Sequence, residues 1–184
     1  MLRIIGGDYS GIKLVAPKGD NTRPTTDAVR EAIFNLLQTY TFVGPVLDLY
    51  AGSGALGIEA FSRYEQPTYL VDRSYEAVQA VKANLVKLHH DEMFHVIKSD
   101  AKKALLKFQN QDLQFSLIFL DPPYRYQNQN DDVVQIVELG LTKPGTVFVS
   151  QGDLDLTENN FASVELLKFK KYGKTLIYIY RVRD

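Results

Sequence analysis

Residues 46–61 read VLDLYAGSGALGIEAF, and this stretch restricts the fold more than any other part of the chain. An apolar run of strand length, Val46 to Leu49, leads into Gly52, Gly54 and Gly57 at G-x-G-x-x-G spacing. Ile58-Glu59-Ala60-Phe61 then suits the start of a helix. Gly52 and Gly54 lack a Cβ, so the backbone there can turn sharply and a ligand can approach closely. The helix N-terminus behind them offers unpaired N–H groups and a partial positive charge. A strand, a glycine turn and a helix are one unit of a parallel sheet. Alone, the pattern also suits a plain tight turn or a dinucleotide site. Two further features narrow the choice. Asp48 lies within the strand, and Leu120-Asp121-Pro122-Pro123-Tyr124 directly follows a second buried-strand run, residues 115–120.

The rest of the chain supports an α/β layout. Residues 2–5 and 12–15 are short apolar runs around a turn with Gly6, Gly7 and Gly11, which predicts a small N-terminal β-hairpin. Val29, Ala32, Ile33, Leu36 and Leu37 form one helical face, with Asp27 in the first turn. Strands are expected at 68–71, 94–97, 115–120 and 146–150. Helices are expected after Ser74, over 101–108 and over 131–139, with a turn at Lys143-Pro144-Gly145. The end differs: residues 164–170 and 175–182 are β-rich and joined by Tyr172-Gly173-Lys174, which predicts an antiparallel hairpin. The expectation is a mainly parallel seven-stranded sheet with an antiparallel C-terminal hairpin. The whole chain, 1–184, forms one domain, with 1–40 as an appendage on a catalytic core of 45–184.

Bulk properties exclude several classes. The chain has no cysteine, so it has neither disulfides nor thiolate metal sites. Its three histidines, His89, His90 and His95, sit at helix-end and loop positions without a completing motif, and no metal is expected. No apolar run approaches the roughly 18 residues of a membrane span, so a cytoplasmic, unanchored protein is expected; it is separately expected to be a monomer. The net charge of −1 means that any nucleic acid must be met by a local patch.

The glycine turn and the later Asp-Pro-Pro-Tyr, each at a strand end, resemble the Rossmann-like class I S-adenosylmethionine-dependent methyltransferases. The Asp-Pro-Pro-Tyr form resembles the amino-methyltransferases, which methylate nitrogen. The ends of the chain add Arg3-Ile4-Ile5-Gly6-Gly7, then Thr22-Arg23-Pro24-Thr25-Thr26-Asp27 running on through Val29-Arg30-Glu31 to Phe34-Asn35, and Tyr172-Gly173-Lys174-Thr175. With these, the whole chain resembles the bacterial 16S ribosomal RNA guanine-N2 methyltransferases of the RsmD type. The polar segment 150–161 has no counterpart in that resemblance.

The resemblance implies S-adenosyl-L-methionine as cofactor. It implies that Asp72 accepts from the ribose hydroxyls, that Gly52 and Gly54 admit the methionine part, and that Asp48 helps orient the methionine ammonium. Asp100 would accept from the adenine amino group with Ala101 beside it, and Tyr50, Ala51, Ser53 and Arg73 flank these positions. A sulfonium and an ammonium suit a set of acids, which would repel a pyrophosphate. Asp121 and the Pro122 carbonyl would hold the substrate amine, with Asp121 also bordering the cofactor. Pro122 and Pro123 stiffen the turn, and Tyr124 stacks on the base.

The partner implied is 16S rRNA or the assembling small subunit. Candidate contacts are Arg23, Thr25, Thr26 and Arg30 near the N-terminus and Lys168, Lys170 and Lys171 near the C-terminus. Basic and aromatic residues together suit phosphates and bases, and the target guanine must leave its stack. DNA adenine or a protein amide remains an alternative target, and a nicotinamide-dependent oxidoreductase an alternative use of the glycine turn.

Overall fold

A computed structural model of the chain describes residues 2–17, 26–122, 129–152, 163–173 and 175–183. Its sheet has seven strands: β1 (Val46–Asp48), β2 (Thr68–Asp72), β3 (Phe94–Lys98), β4 (Phe115–Leu120), β5 (Thr142–Gln151), β6 (Val164–Tyr172) and β7 (Thr175–Val182). The helices are α1 (Asp27–Leu37), α2 (Ala55–Tyr64), α3 (Tyr75–Leu85), α4 (Ala101–Gln109) and α5 (Gln129–Glu138). The strand order is β3-β2-β1-β4-β5-β7-β6. The first five strands in that order are parallel, and β7 is antiparallel to both β5 and β6.

Two hydrophobic layers sandwich the sheet. Ile33, Phe34 and Leu37 of α1 and Leu56 and Ala60 of α2 pack with Leu117, Phe119, Ile177 and Ile179 on one face. Leu105 and Phe108 of α4 and Val133 and Ile136 of α5 pack with Ile118, Leu120, Tyr178 and Tyr180 on the other. Neighbouring residues of one strand go to opposite layers, as the pleat requires. Strand β4 is buried along its whole length, as expected for a strand covered on both faces.

Two features of the fold differ from expectation. Lys143-Pro144-Gly145 does not end a connection; it lies inside β5, in an irregularity where Phe115 pairs Thr142 but Leu117 pairs Val147. Pro144 cannot donate to a ladder, so the strand bulges around it and resumes. The N-terminal hairpin is reduced to one bridge, Arg3 with Lys13. Three further backbone bonds support that ribbon, Ile4 N to Ile12 O, Gly11 N to Ile4 O and Leu14 N to Leu2 O, all at 2.9 Å.

A two-stranded ribbon is marginal alone, and this one is fastened to three helices. Glu59 of α2, fully buried, accepts from the Ile5 and Gly6 N–H groups at 2.7 and 2.8 Å. The Ser62 hydroxyl donates to the Gly6 carbonyl at 2.6 Å and accepts from Tyr9 N at 3.0 Å. Gly7 has φ 76°, and a Cβ there would sit 1.8 Å from the Ser62 carbonyl oxygen. The Gly6-Gly7 pair is therefore dictated by the ribbon's approach to α2.

Candidate functional site

Helices leave the sheet in opposite directions on either side of β1 and β4, so the crevice of this fold opens at the carboxyl ends of those two strands. Four of the predicted acids reach that edge. Asp48 closes β1, Asp72 closes β2, Asp100 follows β3 and Asp121 follows β4.

The glycine turn is fixed from beneath. Gly52 and Gly54 both have positive φ, 54° and 79°, which side chains disfavour. Gly54 caps α2 without a side chain, and Asp48 fills that role from the strand: its Oδ2 accepts from Gly57 N at 3.0 Å. A Cβ on Gly57 would lie 2.4 Å from Leu70 Cδ2 and 3.3 Å from Asp48 Cβ, so only glycine lets α2 sit this close to the sheet. Asp72 holds the turn from the other side, with Oδ2 accepting from Gly52 N at 2.9 Å and Oδ1 from Ser74 N at 2.8 Å. Asp100 caps α4 through Lys102 N at 3.1 Å.

Asp48 is the electrostatic centre of the edge. It is buried, and its Oδ1 has no hydrogen-bond partner among the described residues. Burial, then the nearby Asp121 and Asp72 charges, push its carboxyl up to about 7, against the pull of the Gly57 and Tyr50 N–H groups. A buried acceptor facing two more acids is a site that a cation would relieve. Above the turn, a Cβ on Gly52 would meet nothing within 4 Å, so the loop borders open space. An acid set with an unmet buried oxygen, beside an open glycine turn, fits a ligand bearing a sulfonium and an ammonium.

Two residues missed in the sequence brace this edge. Asn84 of α3 is fully buried; its amide accepts from Val15 N at 2.7 Å and donates to the Val15 and Ser53 carbonyls, both at 2.9 Å. It therefore joins the N-terminal ribbon to the glycine turn. Its signal was a polar residue three after Val81 and four before Leu88, on the apolar stripe of α3. The Tyr50 hydroxyl donates to buried Asp132 of α5 at 2.6 Å, which ties the end of β1 to the helix that follows the Asp-Pro-Pro-Tyr segment. Those two residues are 82 apart, and no local pattern announces the pair.

Other predicted positions are placed as follows. Tyr50, Ala51 and Ser53 lie along the turn, Arg73 is exposed after β2, and Ala101 opens α4. Asp121 is partly buried and Pro122 buried. Pro123, Tyr124, Arg23, Thr25 and Lys174 lie outside the described residues, as do residues 153–161 of the polar segment. Thr26 caps α1, accepting from Val29 N at 3.3 Å.

Two expected RNA contacts are corrected. Arg30 is fully buried; its Nη2 donates to the Arg3 carbonyl and to Asp27 at 2.9 Å, so it fastens α1 to the ribbon instead of meeting phosphate. It stands three and four residues before Ile33 and Phe34, on the inward face of α1. Lys168 points its ammonium at the Leu36 carbonyl, 2.7 Å away, and lies 4.8 Å from the centre of the Tyr40 ring. It caps the C-terminal end of α1, where a cation is favoured. Lys170 and Lys171 are exposed.

His89 is exposed, and His95 lies within β3 and not at a helix end or loop. His90 lies against Tyr9 and Phe61, and His95 stacks on Tyr69 at 4.3 Å. Among the described residues no group could hold a metal ion, and no helix is long and apolar enough to cross a membrane. A surface cleft of about 270 Å³ lined by Gly145, Glu165, Arg181 and Arg183 lies at the opposite end of the sheet, away from the acids.

A sheet ordered 3-2-1-4-5-7-6 with its seventh strand antiparallel, a glycine turn at the switch point and an acid at or just past the end of each of β1 to β4 define a class I S-adenosylmethionine-dependent methyltransferase. The model of a family described as conserved hypothetical protein 95 matches residues 2–181. The chain belongs to that family, the RsmD-type rRNA methyltransferases. It is 37% identical over 183 residues to YlbH of Bacillus subtilis, named as a proposed rRNA methyltransferase, covering 99% of this chain and 100% of that one. It is 32% identical over 184 residues to ribosomal RNA small subunit methyltransferase D of Haemophilus influenzae, covering 98% and 93%. A solved Escherichia coli structure described as a proposed methyltransferase, yhhF, superposes with TM-score 0.82 at 31% identity over 98% of this chain and 97% of that one.

Proposed function

We propose that this chain methylates the exocyclic N2 amine of a guanine in 16S rRNA, acting as a monomer in the cytoplasm on naked RNA or on the assembling small subunit. The observation that carries the reading is the cluster of Asp48, Asp72 and Asp121 around a buried, unmet carboxylate oxygen at the switch point. S-adenosylmethionine supplies an electrophilic methyl on a positively charged sulfur. Asp72 holds the ribose hydroxyls with the lone pairs left after Gly52 and Ser74 have bonded to it. Asp48 faces the ammonium, and Asp100 with Ala101 borders the adenine.

Asp121 and the Pro122 carbonyl accept the two N–H groups of the substrate amine. That amine is a poor nucleophile, because its lone pair is delocalised into the ring. Two fixed acceptors turn the lone pair towards the methyl and stabilise the positive charge that grows on nitrogen. Tyr124 stacks on the flipped base. The bond from Tyr50 to Asp132 keeps the β1 end and the start of α5 in register, so the acceptors stay where the amine arrives.

The experiment is methylation of small subunits and of protein-free 16S rRNA, both from a strain lacking the gene, followed by mass spectrometry of the nucleosides. One new N2-methylguanosine is expected. New N6-methyladenosine, or no new methylated nucleoside on either substrate, overturns the reading.

A further inference from the structure

From Leu166 to Arg183 the chain carries six cations, Lys168, Lys170, Lys171, Lys174, Arg181 and Arg183, and no acid, although its net charge is −1. This segment is most of the β6–β7 hairpin, whose acid Glu165 pairs with Arg181 at the end away from the tip, and β6 is the edge strand of the sheet. Cross-strand register places its tip. Gln151, at the carboxyl end of β5, pairs with Ile177, so the pairs Lys171–Leu176 and Tyr172–Thr175 lie beyond that end, on the side of the molecule where Asp121 lies. Strand β6 is third from β4, roughly 14 Å away at ordinary strand spacing.

The exposure here is unusual. Phe169 is 52% exposed and Tyr172 42% exposed, while Tyr178 and Tyr180 of β7 are buried. Phe169 rests on Tyr178 with ring centres 4.9 Å apart, so its ring is propped from beneath. Lysines on an edge strand commonly guard it against pairing with other chains. Guarding accounts for Lys170 and Lys171 but not for two half-exposed rings among them, which would raise the hazard that the lysines lower. Lys168 shows what a structural lysine looks like in the same strand: its ammonium is anchored on α1.

We propose that the tip half of β6 docks an unpaired stretch of the RNA substrate, with Phe169 and Tyr172 stacking on bases and Lys170 and Lys171 meeting phosphates. The proposal rests on the reading of RNA as substrate. Phe169 and Lys171 share one face of the hairpin, Lys170 and Tyr172 the other, so the strand is gripped along its edge. The charge is complementary to RNA, and the aromatic rings tolerate any base.

The test is titration of a labelled single-stranded oligoribonucleotide, and of a duplex of the same sequence, over a range of salt. Lys170→Ala with Lys171→Ala should reduce the magnitude of the log–log salt slope for the single strand by about 1.4, since each phosphate contact contributes about 0.7. Phe169→Ala with Tyr172→Ala should weaken single-strand binding about tenfold or more with the slope unchanged, and should affect the duplex little. Lys168→Ala should leave the slope unchanged. Cofactor affinity, measured by calorimetry on each variant, reports that the fold is intact; if the aromatic pair fails to fold, the lysine pair still decides. Unchanged affinity and slope in the lysine pair overturns the proposal, as does equal loss for duplex and single strand in the aromatic pair. Because binding is measured directly, the outcome stands apart from which nucleoside the enzyme methylates.

Discussion

The acids at the ends of β1 to β3 and the lysines along β6 treat charge in opposite ways. Asp48, Asp72 and Asp100 each accept from a backbone N–H group, at Gly57, at Gly52 and Ser74, and at Lys102. On β6, Lys168 is fastened to α1, while Lys170 and Lys171 are exposed. A charge held by the backbone has a fixed position, which chemistry requires because small displacements are costly to rate. A charge left in water acts through a field that tolerates movement, which suits gathering a polyanion. The two regions should therefore respond differently to substitution, in chemistry on one side and in salt dependence on the other.

The largest effect belongs to the acid edge, at the acid that follows β4. Asp121→Ala should lower turnover on the order of 10²-fold or more, because it removes an acceptor needed most as charge develops on nitrogen. Cofactor affinity should change little. Single-turnover methylation with separate calorimetry checks both, and a fully active variant would sink the assignment.

Next comes Asp72→Ala, which leaves the Gly52 and Ser74 N–H groups unmet along with the ribose. Cofactor binding should weaken by roughly 1–3 kcal/mol. The same affinity in variant and parent would mean that Asp72 serves only the turn.

Asp48 sharpens the contrast through pH. Its folded carboxyl titrates near 7, well above the ordinary carboxylate range. The folded state therefore keeps a proton that the unfolded chain releases, and stability falls as pH climbs from that range through about 7. A bound ammonium favours the ionised form, so cofactor affinity should rise with pH, by up to about tenfold per unit, and level off above about 7. Asp48→Asn should flatten both profiles. Calorimetry and thermal melts between pH 5 and 8 are the measurement, and parallel curves for parent and variant would refute it.

The smallest effect lies within β6. Lys168→Ala loses the Leu36 carbonyl and the Tyr40 ring, and should cost about 1 kcal/mol of stability. Lys171→Ala should stay within about 0.5 kcal/mol of the parent, as exposed positions do. Equal melting shifts for the two would erase the distinction drawn between them.

Much of this was legible in the chain because local physics announces it. Strand–turn–helix periodicity gave the parallel sheet, and acids just past apolar runs fell on one edge because parallel strands share a carboxyl end. Lys168 was not legible for two reasons. A register irregularity between Leu166 and Lys168 breaks the alternation, and its partner Leu36 is 132 residues away. Arg30 is no phosphate contact because helical position outweighs charge there: it shares a face with Ile33 and Leu37. Asp132 had no local signal, since its partner Tyr50 comes from another strand end.

The ribbon's moorings have a consequence for the order of assembly. Residues 4–15 leave the ribosome before their partners, which lie far downstream: Glu59 and Ser62 are 53 to 56 residues away, and Asn84 is 69 residues from Val15. Domains usually fold from the N-terminus as they are synthesised. Here the ribbon must wait until α2 and α3 have emerged. Asn84 then bonds to Val15 and Ser53 together, so closure of the ribbon and bracing of the glycine turn are completed by one side chain. A nascent chain with its ribbon docked is one whose cofactor turn is already braced.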